Sequence, residues 1–293
     1  MDLVFNINQL GLEGLGATLT SLIRNCSDNR ELTLWFLCNG LSDSDKKNIK
    51  ALLNAENYLG KDNYIDFDAD VEFGHLNSLH GDRTTYGRLL MPKFVNADLA
   101  LYLDADLVIE LDVLQLKGFD FDGNLLAAVS GSTIKYSLDN PLFINKLNWD
   151  INTPYFNAGV LLFNLHKWRN ENIDLQIKDI MKNYSDYLVS HDQTLLNALC
   201  GGVFSRLPKS FNVTWYPDAK KPAQETDAII HFVGSPKPWD FLAGNFHKGY
   251  NLWKSYNTPF WSKQYSSLTA DKVSRFWNIR RSYLRLLKKK IKG

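Results

Sequence analysis

Cysteine is scarce: the 293 residues hold three, Cys26, Cys38 and Cys200. Three thiols cannot all pair within one chain, and no two stand at metal-ligand spacing. A disulfide scaffold and a zinc ribbon are therefore excluded, which leaves reduced, buried thiols. The opening residues, MDLVFNINQLGLEGLG, lack the basic start and long apolar stretch of a secretion signal. No uncharged apolar run nears the ~20 residues that span a bilayer. Net charge is also lacking, +1 from 33 Lys+Arg and 32 Asp+Glu, which gives no ground for a nucleic-acid partner. The expectation is a body that is cytoplasmic or peripheral to a membrane.

What is present is apolar and unevenly charged. Hydrophobic residues make up 45% and aromatics 13%, enough for a large core and too much for a disordered chain. The length suits one large α/β domain or two small ones. Residues 271–293 carry nine Lys/Arg and one Asp, a charge of +8. The preceding 270 residues hold 24 basic and 31 acidic side chains, a charge of −7. An acidic body precedes a basic tail.

Strand-like runs occur at Leu3–Ile7, Leu32–Leu37, 64–69 and Leu99–Leu103. Helical spacing fills residues 12–26, the stretch opened by Ser42 with Asp45 three residues on, and Thr84–Val95. That alternation predicts a mostly parallel sheet covered by helices, with ligands at the carboxyl ends of strands. Further strands are predicted at 125–129, 159–163 and Ala228–Val233, and helices at 165–183 and 192–200. Residues 255–270 connect body and tail.

Several constellations carry chemistry. Asp104 and Asp106 follow an apolar strand at i and i+2, so both carboxylates point to one face. Such a pair is either a solvated turn or a site for a divalent, oxygen-seeking cation. His231 ends another apolar run, either as a core histidine or as a nitrogen ligand. After it come Gly234, which permits close backbone approach to a phosphate, and Lys237, a point charge between two prolines. Asn157 and Gly159 interrupt an apolar segment. The amide contacts a sugar hydroxyl or bonds the local backbone. Asp192 suits the N-terminus of the helix it begins, or a catalytic role beside Gln193. Arg88 either reaches an anion or snorkels.

Together and in this order, TTYGRL (84–89), LYLDADLVI (101–109), YFNAGVLLFNLHKWR (155–169), HDQTLLNAL (191–199) and IIHFVGSPKPW (229–239) resemble glycosyltransferase family 8. The likeness is strongest to its bacterial lipopolysaccharide galactosyl- and glucosyltransferases. It spans about residues 3–240. The resemblance implies a retaining enzyme of the GT-A fold, a single Rossmann-like, mixed but mostly parallel sheet with flanking helices. The catalytic domain would occupy 1–255 and a basic helical extension 256–293. Asp104, Asp106 and His231 would bind Mn²⁺, with Mg²⁺ a weaker substitute. Asn8 and Ala105 would lie against the nucleotide of UDP-galactose or UDP-glucose, and Gly234 and Lys237 against its diphosphate. Arg88, Asn157, Asp192 and Gln193 would hold the donor sugar, the last two as catalytic residues. The acceptor would be a glycan, glycolipid or glycoprotein. Two positions depart from the family pattern. Asn8 stands where relatives often have Asp, and Ser130-Gly131 where many carry a sugar-binding Asp. A UDP-sugar hydrolase and a non-catalytic UDP-sugar-binding scaffold are the rival functions.

Since Gln193 is a poor nucleophile, the expected chemistry is front-face attack, with the departing phosphate taking the acceptor's proton. In the tail, Lys272–Lys292 reads as one helix bearing Val273, Phe276, Trp277, Leu284, Leu287 and Ile291 near one stripe. It either docks on an anionic inner leaflet or packs on the acidic body.

Overall fold

The computed structural model describes residues 1–78, 82–223 and 227–292, so Gly293 of the tail lies outside the described residues. The first half alternates as expected. Strands β1 (Asp2–Asn8), β2 (Thr33–Asn39) and β3 (Lys61–Phe67) are separated by helices α1 (Leu12–Asn25) and α2 (Asp43–Ala55). Leu3, Val4 and Phe5 are all fully buried because β1 is covered on both faces, which is why it reads as a continuous apolar run. The Ser42–Asp45 pair forms a complete capping box for α2. Two short helices, α3 (Ala69–Phe73) and α4 (Met91–Phe94), lead to β4 (Leu99–Leu103) and β5 (Leu107–Ile109). Next come β6 (Leu126–Thr133), β7 (Pro154–Asn164), and helices α5 (Leu165–Asn170), α6 (Ile173–Tyr184) and α7 (Asp192–Cys200). Strands β8 (Ser205–Arg206), β9 (Val213–Trp215) and β10 (Ile229–Phe232) follow.

The main sheet has the order β3-β2-β1-β4-β7-β6-β8, with β7 antiparallel to both neighbours and every other pairing parallel. The chain builds outward from β1 to β3, then returns to pair β4 with the other side of β1. That reversal opens a crevice at the carboxyl ends of β1 and β4. Side chains alternate across the sheet: Leu3, Phe5 and Leu101 face one core, Val4, Ala100 and Tyr102 the other. β10 does not extend this sheet. It lies between β5 and β9 in a second, three-stranded one.

Three expected helices come out differently. Thr84–Leu90 is a 3-10 turn that gives way to α4, because Pro92 in the first turn of α4 cannot continue a helix from upstream. The 165–183 helix is split into α5 and α6 at Asn172, which adopts a left-handed conformation (φ 49°). The tail is two helices, α10 (Ala270–Asn278) and α11 (Arg280–Lys292), bent at Ile279. The bend turns Tyr283 and Leu286 into the body, with Phe276 and Tyr283 packed 4.9 Å apart across it. Between body and tail, α8 (Tyr250–Tyr256) and α9 (Pro259–Tyr265) seat on α1. Trp261 of α9 is fully buried and donates from Nε1 to Leu12 O at 2.8 Å. Gly16 makes room for it, since a Cβ there would come 2.1 Å from the indole. No described helix is long and apolar enough to cross a membrane.

Candidate active site

β4 ends in the crevice, and its ladder continues one residue further through the Asp104 N–H, which donates to Gly159 O at 2.9 Å. The chain then turns through Ala105 into β5. Because β5 pairs with β10 in the register Leu107↔His231, the imidazole is delivered beside the two carboxylates. One ligand atom from each of Asp104, Asp106 and His231 lies within 4.8 Å of the others. Nε2 of His231 is 3.2 Å from Asp106 Oδ1 and 3.9 Å from Asp104 Oδ2. Gly159 is required here: a Cβ would fall 2.3 Å from the imidazole and 2.9 Å from Asp104.

A one-way chain of hydrogen bonds sets the protons at this cluster. Asn157 Oδ1 accepts the Gly159 N–H at 3.0 Å, which fixes the orientation of that amide. The same oxygen accepts from Asn212 Nδ2 at 3.0 Å. The Asn212 oxygen therefore faces His231 Nδ1, at 3.0 Å, and Nδ1 carries the ring proton. The lone pair of Nε2 then points toward Asp106 Oδ1, a buried atom that has no hydrogen-bond donor. Two lone pairs facing each other at 3.2 Å need a cation between or beside them, so the residues fit a divalent metal with hard ligands and one imidazole.

The chain continues inward. Asn157 Nδ2 and the Ala158 N–H donate to Gln193 Oε1 at 3.1 and 3.0 Å, occupying both lone pairs of that amide. Gln193 Nε2 donates to Tyr155 Oη, which donates to the fully buried Asp139 at 2.7 Å. Sequence reading missed Asn212, Tyr155 and Asp139. Each is a single polar residue whose partner lies far along the chain.

Arg88 does not snorkel. With 4% of its side chain exposed, it lies over the Tyr102 ring and between Asp192 (2.9 Å) and Asp104 (3.1 Å). Asp192 does not cap α7. That place belongs to His191, at φ 58°, while the Asp192 carboxylate turns to Arg88. Burial raises the Asp192 pKa above the usual carboxylate range, Arg88 opposes the rise, and Asp104 adds to it. For Asp106, burial also pushes upward, but the Lys237 ammonium outweighs it and holds the carboxyl below its ordinary value. Lys237 Nζ sits 2.6 Å from Asp106 Oδ2 and 2.5 Å from Phe232 O. Gly234 supplies the left-handed turn (φ 76°) that brings Lys237 back over the crevice.

At the end of β1, Asn8 is fully engaged. Its oxygen accepts the Gly11 N–H at 3.1 Å, and its amide nitrogen donates to Asp82 and to Thr84 Oγ1. Ser130 and Gly131 are exposed, at a register irregularity in β6.

A switch-point crevice holding an Asp-x-Asp and histidine cluster, on this mixed sheet, defines a glycosyltransferase of the GT-A fold. Residues 2–243 match the family described as Glycosyl transferase family 8, and the chain belongs to it. It is 23% identical over 270 residues to General stress protein A of Bacillus subtilis, covering 84% of this chain and 92% of that one. It is 25% identical to the lipopolysaccharide 1,2-glucosyltransferase of Escherichia coli, covering 82% and 72%. Against Glycosyltransferase GlyB of Streptococcus pneumoniae it is 27% identical, covering 69% of this chain and 48% of that one. A crystal structure of the galactosyltransferase LgtC with donor and acceptor sugar analogs shares the fold at TM-score 0.73 and 24% identity. The match covers 92% of this chain and 98% of that one.

Proposed function

We propose that this glycosyltransferase is a retaining hexosyltransferase that moves galactose or glucose from a UDP-sugar to a glycan, glycolipid or glycoprotein acceptor, using Mn²⁺. The observation that carries the reading is the inward-facing pair of His231 Nε2 and orphaned Asp106 Oδ1 at the switch-point crevice. Asp104, Asp106 and His231 are the ligands. When bound, Mn²⁺ supplies neutralising charge for the diphosphate that leaves.

The chain's own residues do the rest. Lys237 exchanges its contact with Asp106 for the diphosphate and stabilises the departing charge, with Gly234 giving its loop close approach. Asn8 and Ala105 line the nucleotide. Arg88 and Asp192 form a buried, fixed pair that presents the carboxylate to donor-sugar hydroxyls. Asn157 contributes its amide beside the sugar. Gln193 lies at the reacting carbon, but its oxygen is turned inward, so it offers a free amide N–H rather than a nucleophile. Front-face attack follows: the bond from the anomeric carbon to the diphosphate breaks, and the acceptor oxygen bonds on the same face. The acceptor's proton passes to the departing phosphate oxygen.

The end of the extension, helices α10 and α11, docks on an anionic inner leaflet. Trp277, Leu284, Leu287 and Ile291 are exposed, and Arg281, Arg285 and Lys288 lie among them on the same helices.

A panel of UDP-sugars with Mn²⁺, scored for released UDP and for sugar attached to truncated glycolipid acceptors, tests the function. Transfer from a UDP-hexose is the expected result. UDP release with no transfer to any acceptor points to a hydrolase, and no release from any donor defeats the enzyme reading.

A further inference from the structure

α10 carries two cations three residues apart, on one face of the helix. Lys272 Nζ lies 2.5 Å from Glu13 Oε2 on α1. Arg275 donates to Asp240 in bidentate fashion, Nε to Oδ1 at 2.6 Å and Nη2 to Oδ2 at 3.0 Å. Both carboxylates are buried, Glu13 with 7% and Asp240 with 6% of the side chain exposed. A buried carboxylate without a cation is costly, and here both cations come from the tail.

Asp240 faces two ways. Its Oδ2 also accepts the backbone N–H of Lys237 at 2.7 Å. One carboxylate thus joins the tail to the residue whose ammonium rests on Asp106. A second tie lies beside it: Tyr283 of α11 donates its hydroxyl to Phe241 O at 2.5 Å, and Phe276 packs edge-on against Phe241. Trp239, next to Asp240, packs on Gly14, where a Cβ would be 2.6 Å from the indole and 2.6 Å from Ala105 O. The tail therefore reaches the loop from Gly234 to Leu242 at three points, and that loop abuts the turn between Asp104 and Asp106.

We propose that Arg275 and Asp240 are positioning residues for the donor, holding the Lys237 loop in the shape that receives a nucleoside diphosphate. On this account α10 is part of the donor site, not only of a membrane address. The proposal rests on reading the crevice as a UDP-sugar site. The physical cause is twofold. Arg275 cancels the charge of Asp240 beside a site that must accept an anion. It also keeps that carboxylate on the Lys237 N–H, from which an unpaired Asp240 would turn away to water.

UDP titrated with Mn²⁺ into the full chain tests this. Arg275→Met is expected to weaken UDP binding about tenfold and to raise the donor KM with little change in kcat. Adding Asp240→Asn to that variant should cost little more, because both act through one contact. Arg281→Gln with Lys288→Gln, on the far side of the tail, should leave UDP binding as it is. Should Arg275→Met fail to fold, Arg275→Lys keeps the charge and loses the fork, with an expected loss of about threefold. An Arg275 variant that binds UDP as the unsubstituted chain does would overturn the proposal. An unsubstituted chain that binds no UDP would instead overturn the donor-site reading, and this proposal with it.

Discussion

Arg88 in the crevice has 4% of its side chain exposed and is flanked by Asp192 and Asp104. Lys289 in the tail has 64% exposed and meets one surface carboxylate, Asp218. The two regions treat charge oppositely. In the crevice a one-way chain of hydrogen bonds runs from His231 to Asp139. Asp106 Oδ1, buried without a hydrogen-bond partner, stands where a ligand to a cation is needed. In the tail most cations face water, and among the described residues only Lys272 and Arg275 close on buried carboxylates. Where partners are fixed and dry, a single substitution leaves another group stranded. Where they are wet, it does not.

That contrast can be tested from its strong end to its weak one. Asn212→Leu removes the acceptor for His231 Nδ1 without replacing any of the three metal ligands. Mn²⁺ binding should weaken about 10–100-fold. In the metal-free protein, the ¹⁵N spectrum of His231 should move away from the Nδ1–H tautomer. Unchanged tautomer and affinity would show that Asn212 only fills space. At the weak end, Arg281→Gln with Lys288→Gln should change unfolding free energy by less than about 0.5 kcal/mol. The same pair should weaken flotation with anionic vesicles by about 1 kcal/mol per charge removed. Flotation equal to that of the unsubstituted chain would remove the leaflet reading and leave the tail as a packed element of the body.

Much of the crevice could be read locally. Asp104 and Asp106 stand out because an apolar strand runs straight into them, and His231 because it ends another such run. Gly159 and Gly234 mark a close approach and a left-handed turn. The missed residues have no local mark. Asn212 meets its partner Asn157 from 55 positions away, and Asp240 meets Arg275 from 35 away. Their roles come from the pairing of β5 with β10 and the seating of the tail on α1, which no periodicity encodes. The helix ends were misjudged for the same kind of reason. Pro92 and left-handed Asn172 each break a pattern that side-chain spacing alone would continue. The tail reads as one helix although Arg280 interrupts its apolar stripe, and the break at Ile279 serves contacts with Phe241 and Asp240.

The central claim is that the Asp104–Asp106–His231 cluster joins a metal ion to a UDP-sugar in this crevice. Calorimetric titration of UDP into the full chain, with and without Mn²⁺ and repeated on Asp106→Asn, tests it most directly. The account predicts UDP binding that requires Mn²⁺ and disappears in the variant. UDP binding of equal strength without the metal, or undiminished in Asp106→Asn, would contradict it.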